Sequence, residues 1–242
     1  LEKKAVRRIF TRNYNGKMYN LSNRSQNQLI SPNHRVVRQV FNADKYKLER
    51  IEDVLGYKSP ISIPVSGQNI NPDLNIGDDQ IRLIAWTLAE GSIEKDGSHR
   101  VSIYQSRMAY PENYNEIIGL LNNFDFEFTQ RDQVGLGTCT HIRLLPAPSK
   151  IIHQWLGATY KKFPSFLFDL SKRQARLFLE TYIKGDGSTE KYRKRILTTD
   201  TEILEGLEAL AVLAGYNFVT RKRKLRGIAK KDQYFLFPVL TS

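Results

Sequence analysis

Two carboxylic acids, each followed by a glycine, stand at matching places in this chain. Glu90 is the next-to-last residue of the stretch LIAWTLAEG, and Asp186 lies 96 residues later, in the same place in LETYIKGDG. Both stretches have the apolar spacing of a helix that stops at glycine. A carboxylate there meets the negative end of the helix dipole, and two that lie together repel each other. A divalent cation such as Mg²⁺ would remove both penalties. The alternative is that Glu90 and Asp186 point apart into solvent as ordinary residues of the last helical turn.

Small residues in the two stretches indicate how the acids could meet. Ala85 and Ala89 lie four apart in the first stretch, and Thr181 and Gly185 lie four apart in the second. Residues four apart share one face of a helix, and small side chains there let two backbones approach closely. We therefore expect the two helices to pack side by side and to deliver both carboxylates to one place.

The two helices begin a unit that occurs twice, with a period of about 90 residues. Its predicted order is helix, strand, helix, strand, strand, from DDQIRLIAWTLAEGS to THIRLLP and again from SKRQARLFLETYIKGDGS to DQYFLFP. Overlaying the copies gives three opposed pairs: Phe128 and Phe218, Arg131 and Arg221, Pro146 and Pro238. Two copies indicate pseudo-twofold symmetry, because a solenoid needs more repeats.

The first 65 residues predict a small β-rich segment. Asn15-Gly16 is a strong turn signal between two candidate strands, and QLISPNHRVV indicates another strand around a turn. Residues 66–77 belong to a stretch rich in Pro, Gly, Ser and Asn, which predicts a linker. Asp78 or Asp79 is expected to cap the helix that follows.

The composition favours a polyanionic partner. The 242 residues carry a net charge of +12, with a pI near 9.7, and nucleic acid is the first candidate. A basic soluble protein without such a partner is the alternative. The single cysteine, Cys139, excludes a disulfide within the chain and a cysteine-based zinc site. No apolar run approaches a membrane span, and LEKKAVRRIF lacks the apolar core of a signal peptide, so we expect an intracellular protein in the cytoplasm, nucleoid or nucleus.

The chain resembles the LAGLIDADG homing endonucleases, most closely the type embedded in inteins. The resemblance rests on LIAWTLAEGS, FLETYIKGDGS and KKFPSFL, and it covers residues 78–242. It implies an α+β fold of two pseudo-symmetric αββαββα repeats, 78–165 and 166–242, whose motif helices form the interface. It also implies that the motif acids hold two or more divalent ions, Mg²⁺ here, over the scissile phosphates. The matching metal-site residues are Glu90, Asp186, Gly91 and Gly187.

The same resemblance implies a catalytic lysine before the second motif. Lys161 matches it, in K-K-F-P, and would activate the attacking water or stabilise the charged phosphorane. An exposed lysine beside Lys162 is the alternative. Its symmetry mate would fall 15 residues after Pro238, so the second repeat either lacks that partner or uses Lys230 or Lys231.

Members of this family clamp duplex DNA with curved sheets in the major groove, and the strands of this chain have outward positions for that. Alternation in the first repeat turns polar side chains outward. The second repeat is more basic, which indicates an asymmetric target, with a solvated charged hairpin as the alternative. The predicted DNA-contacting residues are Arg100, Ser102, Tyr104, Arg131, Gln133, His141, Arg143, Arg193, Arg195, Arg221, Arg223, Lys224 and Arg226.

The N-terminal segment resembles part of the intein splicing (Hint) fold. Ser31 to His34 looks like the T-x-x-H block whose histidine assists the first acyl shift, with a turn histidine of no role as the alternative. Splicing needs Cys or Ser first and Asn last, whereas this chain runs from Leu1 to Ser242, so we expect no self-splicing. We expect either a fragment of an intein or a free-standing nuclease that kept part of one.

Together these features predict a monomeric, site-specific, metal-dependent DNA endonuclease that makes a staggered double-strand break. The alternatives on the same fold are a non-catalytic DNA-binding regulator and an RNA maturase, and a pure protein-splicing module is a third. Regulators of this kind typically lose the acidic residues, and both Glu90 and Asp186 are present.

Overall fold

The N-terminal part of the molecule is a small β-rich segment with its own core. The computed structural model describes residues 6–22, 27–64, 69–133, 139–190, 193–223 and 232–240. Two antiparallel hairpins and a short helix form the segment: β1 (Tyr19–Ser22) with β2 (Asn27–Ile30), β3 (Arg35–Gln39) with β4 (Tyr46–Arg50), and α1 (Ile51–Val54). Its core comprises Ile30, Val36, Ile51 and Val54.

The predicted hairpin turn at Asn15-Gly16 is wrong. Residues 6–18 contain no strand, and the first strand begins at Tyr19. The ring of Tyr14 lies over Gly16, where an added Cβ would be 2.7 Å from it, and the Tyr14 hydroxyl donates to the Lys17 carbonyl oxygen at 3.1 Å. Contacts of Tyr14 therefore hold Asn15-Gly16 in place, and within residues 6–22 no pair of strands flanks them.

Two matching repeats follow the β-rich segment. The first contains α2 (Asp78–Glu90), β5 (Gly91–Ile93), β6 (Val101–Gln105), α3 (Pro111–Asn123), β7 (Phe128–Gln133), β8 (Cys139–Leu144) and α4 (Pro146–Leu156). After a 3-10 helix (Ser165–Asp169), the second contains α5 (Lys172–Asp186), β9 (Gly187–Glu190), β10 (Arg193–Thr198), α6 (Thr201–Leu213), β11 (Tyr216–Arg223) and β12 (Gln233–Leu240). This architecture confirms the predicted α+β fold class. None of the described helices has the length and apolar character to cross a membrane.

Each repeat builds one four-stranded antiparallel sheet with the same strand order. The orders are β5-β6-β8-β7 and β9-β10-β12-β11. The first strand of each sheet, β5 or β9, was not expected from hydrophobic alternation, because it is only three or four residues long and follows its helix without a loop. The family resemblance, in contrast, implies this extra strand.

The strand register corrects one part of the overlay of the two repeats. The second and third strands of each sheet are joined by equivalent pairs, Ile103 with Ile142 and Ile196 with Leu236. By the same register Pro238, which lies inside β12, corresponds to Leu144. The predicted equivalence of Pro146 and Pro238 is therefore wrong, because Pro146 lies two residues further on, at the start of α4.

Local sequence explains the starts of two helices. Ser171 and Gln174 form a capping box at the start of α5, and the Asp200 carboxylate accepts the first amides of α6. The predicted cap of α2 by an aspartate is wrong, because Gly77 occupies the N-cap without a side-chain hydrogen bond. Asp78 instead binds Arg173 at the start of α5, at 2.7 Å.

The central packing of the molecule is between α2 and α5. The two helices share one continuous core with both sheets, and Trp86, Phe178 and Tyr182 are its largest buried side chains. Burial of each such side chain stabilises the fold by roughly 1.5–3 kcal/mol. Because these side chains come from both helices, the helix pair is the main structural link between the repeats.

Part of the predicted linker is anchored along the beginning of α5. The Asn69 side chain donates to the Leu170 carbonyl oxygen at 2.7 Å, and the Gln174 side-chain oxygen accepts the Leu74 amide at 2.8 Å. Asp73 and Asp78 both pair with Arg173. Residues 69–77 therefore pack against the second repeat before α2 begins.

Candidate functional site

The motif helices α2 and α5 meet at their C-terminal ends, where Gly185 permits very close approach. A Cβ at Gly185 would lie 2.7 Å from Cβ of Ala89 and 2.9 Å from Cγ of Glu90. Such distances leave no room for a side chain, so the contact requires glycine at this position. Of the small residues predicted to pack together, Gly185 and Ala89 are in contact, and this contact places Glu90 beside the last turn of α5.

Each motif helix runs directly into a strand through a glycine. A Cβ at Gly91 would lie 2.2 Å from the Thr87 carbonyl oxygen, and one at Gly187 would lie 2.3 Å from the Ile183 carbonyl oxygen. Both glycines have extended backbone angles, with φ of −88° and −117°, so steric contact and not left-handed backbone demands glycine. The two junctions are equivalent, and each presents an acid as the last helical residue.

The two acids interact electrostatically. Burial, and then the negative charge of Asp186, raises the pKa of Glu90 from 4.5 to about 6, against the opposing effect of Lys161. Burial also raises the pKa of Asp186, opposed by Lys161 and by the Tyr182 hydroxyl, which donates to the Asp186 carboxylate at 3.1 Å. A partly buried pair of this kind favours a bound cation, because a cation offsets both the desolvation and the repulsion.

Lys161 lies close to both acids, although it precedes Asp186 by 25 residues in the sequence. Its Nζ donates to the Ala89 carbonyl oxygen at 3.2 Å, at the end of α2. Burial lowers its pKa, opposed by the charges of Asp186 and Glu90. The structure therefore places the predicted lysine at the carboxylate pair, half-buried and in contact with α2, and not in open solvent.

The position of Lys161 depends on a nearby aromatic anchor. Phe163 is buried against Phe178 of α5, with ring centroids 5.9 Å apart. It also lies on Gly206 of α6, where an added Cβ would be 2.4 Å from the Phe163 ring. This anchor fixes the segment that carries Lys161, and neither Phe163 nor Tyr182 was predicted as part of the site. Tyr182 has a local signal, since it lies one helical turn before Asp186.

The residues present fit a Mg²⁺ ion that also binds a substrate. Among the described residues, no three His, Cys, Asp or Glu side chains are grouped closely enough to hold a metal by themselves. Mg²⁺ commonly uses one or two carboxylates and completes its shell with water and substrate phosphates. Glu90 and Asp186 supply that number of carboxylates, and Gly91 and Gly187 follow them directly in the backbone.

The outward face of the first sheet is a polar network. The His141 ring stacks on Tyr104, with centroids 4.7 Å apart, and its Nε2 lies 2.8 Å from the Ser102 hydroxyl oxygen. Burial lowers the pKa of His141, with smaller contributions from Arg143 and Arg131 and an opposing one from Glu94. Ser102 is fully buried in this network, which contradicts its predicted contact with DNA. Its hydroxyl instead hydrogen-bonds His141.

The arginines of the first sheet differ in whether they pair with an acidic side chain. Arg143 binds Glu94 through two hydrogen bonds, and its Nε lies 2.6 Å from the carboxylate oxygen. Arg100 is half-buried just before β6, where its carbonyl oxygen accepts the Glu94 amide. Arg131 and Gln133 are exposed on β7, opposite His141 and Cys139.

Arginines of the second sheet lie among aromatic rings. Arg195 donates to the Ser188 hydroxyl at 2.6 Å, and its guanidinium lies 5.9 Å from the Phe235 ring centroid. The Arg221 guanidinium lies 5.5 Å from the Phe237 ring centroid, and Arg223 is exposed at the end of β11. Arg193 pairs in register with Glu190. Four predicted residues lie outside the described ranges: Lys224, Arg226, Lys230 and Lys231.

The His34 segment forms a turn. The His34 amide donates to the Ser31 carbonyl oxygen at 3.0 Å, and the His34 carbonyl oxygen accepts the Ile51 amide at 2.8 Å. The first contact closes the turn between β2 and β3, and the second joins His34 to the start of α1.

The fold is that of the LAGLIDADG proteins. No family model and no curated protein matches the chain. Mesophilic variants of the homing endonuclease I-DmoI match 67% of this chain and 89% of theirs, with 13% identity and a TM-score of 0.50. I-DmoI in complex with DNA and Ca matches 67% of this chain and 83% of its own, with 13% identity and a TM-score of 0.50. The N-terminal LAGLIDADG domain of DUF199/WhiA is less similar, with a TM-score of 0.44. At these identities, the similarity defines the fold.

Proposed function

We propose that this chain is a monomeric, site-specific, metal-dependent DNA endonuclease that makes a staggered double-strand break. The observation that carries the proposal is the meeting of Glu90, Asp186 and Lys161 where α2 and α5 end. Each acid is followed by the first strand of a sheet with arginines on its outer face. A duplex that lies across both sheets would therefore pass over both carboxylates.

The side chains at the helix ends have separable roles in this proposal. Glu90 and Asp186 would hold Mg²⁺, which when bound lowers the pKa of a coordinated water and stabilises charge on the phosphate. The Tyr182 hydroxyl orients the Asp186 carboxylate. Burial lowers the pKa of Lys161, which favours proton exchange at its Nζ, and its ammonium form can donate to a phosphate oxygen.

Mg²⁺-dependent cleavage of a randomised duplex library tests the proposal. Sequencing of the cut ends should recover one long consensus site with staggered ends, and EDTA should abolish cutting. Asp186→Asn should lose cleavage of at least one strand while binding of the recovered site persists, because the substitution removes a ligand charge and keeps the shape. Lys161→Met should slow cleavage and keep binding.

Glu180→Gln is the matched control. Glu180 lies on the same helix as Asp186 but is exposed, so cleavage by E180Q should equal that of the unaltered chain. Undiminished cleavage by D186N would refute the assignment of Asp186. Specific binding without cleavage by the unaltered chain would refute the nuclease and support a DNA-binding regulator. Preferential binding of structured RNA would support an RNA maturase.

A further inference from the structure

The two sheets present chemically different outer faces at equivalent positions. Gly91 pairs with Ile103, and the equivalent Gly187 pairs with Ile196, so β6 and β10 are matched residue by residue. The remaining pairs follow from the register described above. The equivalent outward residues of the first and second sheets are Tyr104 and Leu197, His141 and Phe235, Arg143 and Phe237, Thr129 and Val219, and Arg131 and Arg221.

The central strand of each sheet shows the difference most clearly. In β8, His141 and Arg143 offer hydrogen-bonding groups, whereas in β12 the same two places hold Phe235 and Phe237. The phenylalanine rings lie 6.4 Å apart and tilted by 24°, on the face opposite the buried Leu236. Leu197, beside Phe235 in register, is 38% exposed. This apolar strip is therefore outside the core.

The surroundings of the apolar strip fit a nucleic acid. The guanidinium groups of Arg195 and Arg221 lie over the two rings, and Arg223 is exposed at the end of β11. Cationic groups beside an outward apolar face match a polyanion that exposes an apolar group. The strip is also continuous with β9, which begins directly after Asp186. A duplex over that carboxylate would pass over the strip.

We propose that Phe235 and Phe237 select the 5-methyl groups of thymines in the half-site that the second sheet contacts. This inference rests on the proposed DNA-binding function and specifies its target chemistry. The thymine methyl is the apolar group that base pairs expose in the major groove. A phenyl ring against a guanine or cytosine edge would leave hydrogen-bonding groups without partners, which costs affinity. The first sheet, with His141 in the equivalent place, has no such preference.

Deoxyuridine substitution tests the proposal with the full chain. Duplexes that bind in EDTA are selected from a randomised library, and thymines of the consensus are then replaced by deoxyuridine, which removes only the methyl group. We expect a clear loss of affinity, roughly fourfold per contacted methyl, in one half-site, and no loss in the other.

Exchange of equivalent residues assigns the half-sites. The double variant F235H/F237R carries the polar residues of the first sheet. It should lose the thymine preference and the deoxyuridine effect at those base pairs. The matched variant H141F should change selection only in the other half-site. If F235H/F237R does not fold, the deoxyuridine comparison on the unaltered chain still decides.

Each result has a defined meaning. Equal affinity for thymine and deoxyuridine duplexes would overturn the methyl contact while leaving site-specific DNA binding in place. Failure to recover any specific duplex would overturn the proposed function together with this inference. If F235H/F237R leaves the selected sequence unchanged but alters the sedimentation coefficient, the apolar strip is a protein contact and the proposal is refuted.

Discussion

At the residue scale, the acid pair is destabilising for the fold when no cation is bound. Glu90 lies at the end of a helix, is partly buried and faces Asp186, and these conditions raise its pKa to about 6. Lys161 offsets part of the repulsion but is itself partly desolvated. A group with such a penalty is typical of sites kept for binding or chemistry rather than for stability.

Replacement of Glu90 by Gln should therefore stabilise the metal-free protein above pH 6. The folded state holds the Glu90 proton more tightly than the unfolded state, so stability falls as pH rises from about 4.5 to about 6. The gain for E90Q at pH 8 should be on the order of 1 kcal/mol after allowance for solvent screening, or a few degrees in the unfolding midpoint.

Thermal unfolding in EDTA at pH 8 and at pH 4.5 measures this effect. The difference between E90Q and the unaltered chain should become small at pH 4.5, where Glu90 is protonated in the folded state and about half protonated in the unfolded state. E180Q, which changes an exposed carboxylate on α5, should show no comparable pH-dependent gain. A difference that is the same at both pH values would contradict the raised pKa.

At the element scale, the helix pair sets the distance between the carboxylates. Gly185 allows α5 to contact Ala89 and Glu90 of α2, and Gly91 and Gly187 allow each helix to continue directly into a strand. Only the first of these glycines controls the approach of one helix to the other. Overpacking at Gly185 should separate the acids as well as weaken the fold.

Replacement of Gly185 by Ala should destabilise the protein. The added methyl group would lie 2.7 Å from Cβ of Ala89, and overpacking of a core contact costs about 1–3 kcal/mol. The higher helix propensity of alanine returns up to about 1 kcal/mol, so a net loss of about 1 kcal/mol is expected. Urea unfolding measures the change, and cleavage should fall with it.

Gly119 provides the matched control for that substitution. It lies within α3, and an added Cβ there would meet nothing within 4 Å. Gly119→Ala should therefore stabilise the protein by up to about 1 kcal/mol through helix propensity alone. Equal effects of G185A and G119A would show that the contact between α2 and α5 does not require glycine.

At the scale of the whole molecule, charge is distributed unevenly over the proposed DNA surface. The chain carries a net charge of +12, but Arg143 of the first sheet is engaged by Glu94, whereas Arg131 and Arg223 are exposed. An arginine paired with an acid contributes less to counterion release than one that meets a phosphate alone. The count of basic residues therefore overstates the number of phosphate contacts.

The salt dependence of binding should separate these two kinds of arginine. If Arg131 meets a phosphate, R131Q should reduce the slope of log affinity against log salt concentration by about 1. The double variant E94Q/R143Q removes both charges of an internal pair, so its slope should stay close to that of the unaltered chain. Equal slope changes in the two variants would contradict the distinction.

Much of the fold and the acid pair could be predicted from local patterns. Apolar periodicity identified both motif helices, and the acid-glycine endings at Glu90 and Asp186 followed from helix-stop chemistry. These features depend on residues a few positions apart. The short strands β5 and β9, in contrast, have too few residues to show alternation, so only the family resemblance implied them, and their pairing with β6 and β10 reveals them in the structure.

What the sequence determined by itself is the chemistry available at each helix end and the alternation of each strand, because both depend on neighbours in the chain. Tertiary structure decided which of those groups meet. The strand register placed Phe235 and Phe237 at the positions of the second sheet that are equivalent to His141 and Arg143 in the first. Packing of Phe163 on Gly206 brought Lys161 to the acids. Such contacts join residues far apart in sequence, so only the folded chain, with its long-range pairing and close packing, specifies them.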